Sequence, residues 1–118
     1  MSISWEVEYT DQFETWWHTL LPDEQRHIAQ AVDLLATYGP SLGRPLVDTI
    51  TGSRHANMKE LRASSTRTLF AFDPRRAAIL LVGGDKSGRW RSWYEQAIPQ
   101  ADDLFDDHLQ ALDDEGIV

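Results

Sequence analysis

Residues 59–94 read KELRASSTRTLFAFDPRRAAILLVGGDKSGRWRSWY, and the pattern of this stretch decides the architecture of the chain. Residues 58–63 and 66–72 alternate with period two and are separated only by Ser64 and Ser65, which predicts two strands joined by a tight hairpin. In the first, Lys59 and Leu61 share one face, opposite Met58, Glu60 and Arg62. In the second, Thr68, Phe70 and Phe72 lie opposite Arg67, Leu69 and Ala71. Asp73-Pro74-Arg75-Arg76 supplies a turn with proline at its second position. Residues 77–82 are continuously apolar, as a central strand covered on both faces must be. Gly83 and Gly84 break that run, and a polar turn follows at 85–88.

Upstream, residues 5–9 (WEVEY) alternate large apolar with acidic side chains, which predicts a strand with Trp5, Val7 and Tyr9 inward. Thr10 or Asp11 then caps a helix carrying Phe13, Trp16, Trp17, Leu20 and Leu21 at spacings of three and four. Pro22, with Asp23 and Glu24 after it, restarts a second helix whose stripe is Ile28, Val32 and Leu35. Gly39 and Pro40 stop it. Residues 41–56 read as a loop with a short extended piece around 46–50. Downstream, Pro99 opens an acidic C-terminal helix at about 99–115, with Ala101, Leu104, Phe105, Leu109 and Leu112 along its apolar side.

The order is β-α-α-β-β-β-α. It predicts an α+β fold in one domain spanning 1–118: an antiparallel sheet with the N-terminal helix hairpin packed on one face. Phe70 and Phe72 would meet the hairpin, leaving Arg62 and Arg67 side by side on the open face.

Charge is segregated along the chain. The formal net charge is −8, yet residues 1–43 hold one basic and seven acidic residues, residues 44–91 ten basic and four acidic, and residues 92–118 no basic and eight acidic. Fields between exposed charges fade over roughly 8–10 Å in physiological salt, so the middle segment can present a positive surface despite the mean. The chain has no cysteine, which excludes a disulfide framework and a thiolate metal site. The aliphatic run at 77–82 is too short to span a bilayer, and the first residues lack a basic and apolar leader. The expectation is a soluble cytoplasmic protein.

Arg62, Arg67 and Lys86 are the residues most suited to hold phosphate. Arginine offers a planar fork of donors and lysine a mobile point charge, and both stabilise charge that develops on an attacked phosphodiester. Tyr94 is placed to transfer a proton or stack on a base. Lys59, Arg89, Trp90 and Arg91 are candidate RNA contacts, the tryptophans interleaving with the arginines near Tyr94. The competing reading is that basic strand residues only keep an edge soluble, and that Glu60 pairs with Arg62 or Arg67 structurally. His18, His27, His55 and His108 show no metal-ligand spacing, and of these His55 alone borders the basic stretch. No cofactor motif is present.

The element order, with MKELR at 58–62, TRTLFAF at 66–72, AAILLVGGDK at 77–86, RWRSWY at 89–94 and the opening WEVEYTDQF, resembles the RelE/ParE superfamily of type II toxins, and within it the phage-derived HigB-like subgroup. The resemblance implies a metal-independent mRNA interferase that enters the ribosome and directs a ribose 2′-hydroxyl at the adjacent phosphate. It implies that Arg62 and Arg67 contact that phosphate, that Lys86 is the basic residue after the last strand, and that Tyr94 approximates a tyrosine of the C-terminal region. It also implies a cognate antitoxin, for this subgroup a helix-turn-helix protein of the HigA type. Two alternatives come with it: a ParE-like inhibitor of DNA gyrase, and an inactive member that only binds its antitoxin. The acidic balance of this chain departs from the strongly basic character of many superfamily toxins.

Overall fold

A computed structural model describes residues 4–85 and 90–117. Strand β1 (Val7–Tyr9) leads into helices α1 (Asp11–Trp17) and α2 (Pro22–Tyr38). Three-residue strand β2 (Val47–Thr49) then opens a meander through β3 (Lys59–Ala63), β4 (Thr66–Phe72) and β5 (Ala78–Asp85), and helix α3 (Trp90–Asp114) closes the chain. The strands form one sheet in the order β1-β5-β4-β3-β2.

The predicted caps are in place. Thr10 Oγ1 accepts from the Phe13 amide at 3.0 Å, and Glu24 reaches back to the Leu21 amide at 2.9 Å ahead of Pro22. Gly39 ends α2 with φ of +56°, and a side chain there would also collide with the ring of Trp5. The short extended piece expected around 46–50 is the edge strand β2.

The sheet is mixed rather than wholly antiparallel. β2 through β5 are antiparallel neighbours, but β1 runs parallel to β5, with Val7 opposite Ala78. Every connection from β1 to β5 reverses the chain, and an even number of reversals returns β5 to the direction of β1.

Each face of the sheet has its own core. On one, Leu61, Ala63, Phe70, Ala78 and Leu80 pack against Phe13, Ile28, Ala31 and Leu35 of the helix hairpin. On the other, Met58, Leu69, Ala71, Ile79 and Leu81 pack under Ala97, Ala101 and Phe105 of α3. Phe70 is fully buried, so Phe70→Ala would remove about 3–5 kcal/mol. Trp16 and Trp17 are half-buried flanks rather than core centres, and Tyr9 is exposed where the alternation had placed it inward. Tyr9 is the last residue of a three-residue edge strand, where little remains to cover it.

The largest departure is α3. It begins at Trp90, not at Pro99, and continues through the proline. Trp93, Ala97, Ala101 and Phe105 recur every fourth residue along it, so one stripe packs on the sheet before and after Pro99. That packing outweighs the roughly 3 kcal/mol an interior proline costs. The sheet face expected to be open is therefore covered by α3 over Leu69, Ala71 and Ile79, and Arg62 and Arg67 lie where this cover runs out.

Candidate functional site

Arg62 and Arg67 are direct cross-strand partners in the β3–β4 hairpin. Two like charges in that register repel, unless a carboxylate lies between them. Glu60, two residues before Arg62 on the same face, supplies it. Its side chain is 7% exposed, with Oε1 3.3 Å from Arg67 Nε and 3.7 Å from Arg62 Nε. The Tyr94 hydroxyl, from the second turn of α3, donates to Glu60 Oε1 at 2.9 Å and Oε2 at 3.2 Å. Three predicted residues thus converge on a fourth, to which the sequence had given only a structural pairing.

The two arginines are held differently. Arg67 is 13% exposed, and its Nη1 donates to the carbonyls of Ser64 and Thr66 at 3.1 and 2.9 Å. It acts as a largely enclosed strut that fixes Glu60. Arg62 is 35% exposed; its Nη2 reaches Asp48 Oδ2 at 3.3 Å, and its Nε is buried without a hydrogen-bond partner. Charge-assisted hydrogen bonds run at roughly 2.7–2.9 Å, so the contacts of Arg62 are long. Among these groups, Arg62 is the cation most readily turned toward an incoming anion.

Protonation follows from the same packing. Burial first, and then the hydrogen bond and charge of Glu60, push the Tyr94 phenol up to about 12. At neutral pH it keeps its proton and serves as a donor. Asp48 is held below the usual carboxylate range, first by the hydrogen bond from Arg44 and then by the Thr49 amide.

Gly84 seats the helix that carries Tyr94, and Gly83 seats α1 on the other face. A Cβ at Gly84 would meet the ring of Trp93, and one at Gly83 would meet the ring of Trp16 on the opposite face. The Gly-Gly pair thus lets one aromatic ring lie against β5 on each side, and Trp93 in turn packs edge-on to Tyr94 at 5.0 Å.

The remaining candidates divide. Arg91 is exposed on α3, one helical turn before Tyr94. Lys59 is half-buried but alternates onto the other side of β3 from Glu60 and Arg62, where it lines a hollow with Arg44 and Thr49. It does not join the Glu60 cluster. Trp90 opens α3, while Lys86 and Arg89 lie outside the described residues. His55 pairs with Asp106 at 2.7 Å and packs edge-on to Phe105, which fastens the loop before β3 to α3. Among the described residues no group of His, Asp and Glu is arranged to hold a metal. Nor is any helix among them long and apolar enough to cross a membrane.

A family model for phage-derived Gp49-like proteins matches residues 15–106. A Mycobacterium tuberculosis protein named as toxin HigB2 is 43% identical over 118 residues, covering 96% of this chain and 58% of that protein. This chain therefore spans less than two thirds of the length of HigB2. A second protein of that organism, named as toxin HigB3, is 53% identical over 93 residues, covering 77% of this chain and 82% of its own length. Among solved structures, the archaeal RelE–RelB complex from Pyrococcus horikoshii matches with a TM-score of 0.60 at 15% identity, over 73% of this chain and 99% of the other. The isolated E. coli RelE toxin matches at 0.51 and 13% identity, over 81% and 97%. At these identities the structural likeness is one of fold.

Proposed function

Because the chain belongs to the Gp49-like phage-derived family, a HigB-like branch of the RelE superfamily, we propose that it is the toxin of a type II toxin–antitoxin module and cleaves mRNA on the ribosome. The observation that carries this reading is the convergence of Arg62, Arg67 and Tyr94 on the carboxylate of Glu60, where the cover of α3 ends.

The chemistry these groups support is transesterification within RNA. Glu60 takes the proton of the 2′-hydroxyl, the 2′-oxygen forms its bond to phosphorus, and the bond from phosphorus to the 5′-oxygen breaks. Arg62 turns from Asp48 to the phosphate and offsets the charge that builds on its oxygens, while Arg67 keeps Glu60 in place. Tyr94, protonated at neutral pH, supplies the proton the departing 5′-oxygen needs. The products are a 2′,3′-cyclic phosphate and a 5′-hydroxyl. On this reading Lys86 and Arg89 supply further positive charge for the RNA, and Trp90 and Arg91 are further RNA contacts. No metal or cofactor is required for these steps.

The cellular setting follows from the same reading. The protein acts in the cytoplasm, and its partner is an antitoxin of the helix-turn-helix HigA type. A second reading, inhibition of DNA gyrase without catalysis, draws on the engagement of Arg67 by Glu60 and two backbone carbonyls. Induction of the chain alone, with mRNA 5′ ends mapped on ribosomes, separates the two. Clustered new 5′ ends with translation arrest support the nuclease. DNA-damage signalling with intact messages overturns it in favour of gyrase, and undisturbed growth leaves a member that only binds its antitoxin.

A further inference from the structure

The hollow at the β2 edge carries two cations that the chemistry above does not use. It is a cavity of about 260 Å³ lined by Gly43, Arg44, Asp48, Thr49 and Lys59. Arg44 is 78% exposed, and its Nη2 lies 3.2 Å from Asp48 Oδ2. Arg62 Nη2 approaches that same oxygen at 3.3 Å. One carboxylate oxygen therefore sets a cation of the hollow beside a cation of the Glu60 cluster. Lys59 enters from the other wall, in register with Thr49, and has no ion-pair partner among the described residues. With Asp48 shared between two guanidiniums, Arg44, Arg62 and Lys59 retain an excess of two positive charges.

We propose that Arg44 and Lys59 form a second phosphate subsite, which holds the phosphate adjacent along the RNA strand to the one gripped at Arg62. The inference rests on the ribonuclease reading, because it takes single-stranded RNA as the ligand. Arg44 offers a fork to the phosphate oxygens and Lys59 a point charge on a flexible stem, so the pair fixes strand position without reading bases. Asp48 then acts as a hinge pin: when RNA arrives, both arginines exchange a shared carboxylate for separate phosphates.

The test is the salt dependence of RNA binding by the full chain. The probe is a fluorescein-labelled single-stranded RNA hexanucleotide with 2′-O-methyl riboses, which cannot be cut, followed by anisotropy across a salt series. Each phosphate contact to a single strand contributes about 0.7 to the slope of log K against log salt. The double variant Arg44→Gln/Lys59→Gln is expected to lose about 0.7 of that slope with Tm unchanged, and Arg44→Lys to keep it. Should the half-buried Lys59 resist replacement, Arg44→Glu at the exposed position is expected to lower the slope alone. A slope unchanged in these variants overturns the subsite, as does a wild-type chain whose binding shows no salt dependence. Message cleavage in cells is read independently, so the loss of one proposal is distinguishable from the loss of the other.

Discussion

The Tyr94 hydroxyl donates to both oxygens of Glu60, at 2.9 and 3.2 Å, and so ties helix α3 to strand β3 across thirty-four residues. Burial of the phenol and this contact together keep the tyrosine protonated, and the contact helps place the carboxylate between two arginines.

Its first consequence is visible in alkali. Burial and Glu60 push Tyr94 up to about 12, against roughly 10 for a free phenol. A group whose folded pKa is raised binds its proton more tightly in the native state. Its stabilisation is complete below the unfolded value and is lost as pH rises through the folded one, here between about pH 10 and 12. Ultraviolet titration is expected to show one of the three tyrosines ionising late, and Tyr94→Phe to remove that late step. Glu60→Gln is expected to bring the step to lower pH.

Glu60 also carries a stability prediction. Removing the carboxylate leaves Arg62 and Arg67 opposed across the hairpin without the charge that separates them. Breaking a buried pair from one side costs about 3–5 kcal/mol, so Glu60→Ala is expected to lower the unfolding free energy by about that amount. Arg67→Met in the Glu60→Ala background is expected to recover a large part of it. Urea denaturation of the four members of the cycle measures the coupling.

The Gly-Gly step in β5 is expected to be intolerant in a defined way. Gly84→Ala places a methyl group in the ring of Trp93, and overpacking of this kind costs about 1–3 kcal/mol. Tryptophan emission is expected to shift to the red as Trp93 leaves its seat. Gly43→Ala, with open space around the new methyl, is the matched control and is expected to leave Tm in place.

Acid stability is expected to depend on Asp73. Burial opposes its charge, but hydrogen bonds from His108, Arg75 and the Ala77 amide outweigh that cost and hold its carboxyl below the ordinary range. A depressed folded pKa gives stability that is present above the unfolded value, about 3.9, and is lost as pH falls through the folded one. The link from His108 to Asp73, 2.8 Å long, fastens the second half of α3 to the β4–β5 turn. Asp73→Asn is expected to lower stability at pH 7 and to flatten the acid limb of a Tm-against-pH curve.

Much of the fold was legible because its signals are local. The alternation at 58–63 and 66–72 set the faces of both hairpin strands, and the apolar run at 77–82 marked a strand buried on both sides. The start of α3 was hidden because Pro99 is a strong local stop, whereas the stripe of Trp93, Ala97, Ala101 and Phe105 has meaning only once the sheet beneath it exists. The parallel pairing of β1 was hidden for a similar reason, since the direction of an edge strand depends on everything between it and its neighbour. In the candidate site, the shared face of Arg62 and Arg67 followed from strand alternation, and so did the displacement of Lys59 to the other side. Tyr94 met Glu60 only through the docking of α3. Arg44 gave no signal at all, because it lies in a loop whose path is fixed by β2 and by Asp48.

The most direct measurement is a reconstituted reaction in which wild-type chain and Arg62→Ala are each added to ribosomes carrying mRNA in the A site, with RNA ends identified chemically. Wild-type chain is expected to yield a 2′,3′-cyclic phosphate and a 5′-hydroxyl, and Arg62→Ala, folded with Tm near that of the wild type, to be at least tenfold slower, equivalent to about 1.4 kcal/mol of barrier. Equal rates from the two proteins, or message left intact by the wild-type chain, would contradict a catalytic site built on Glu60 and its arginines.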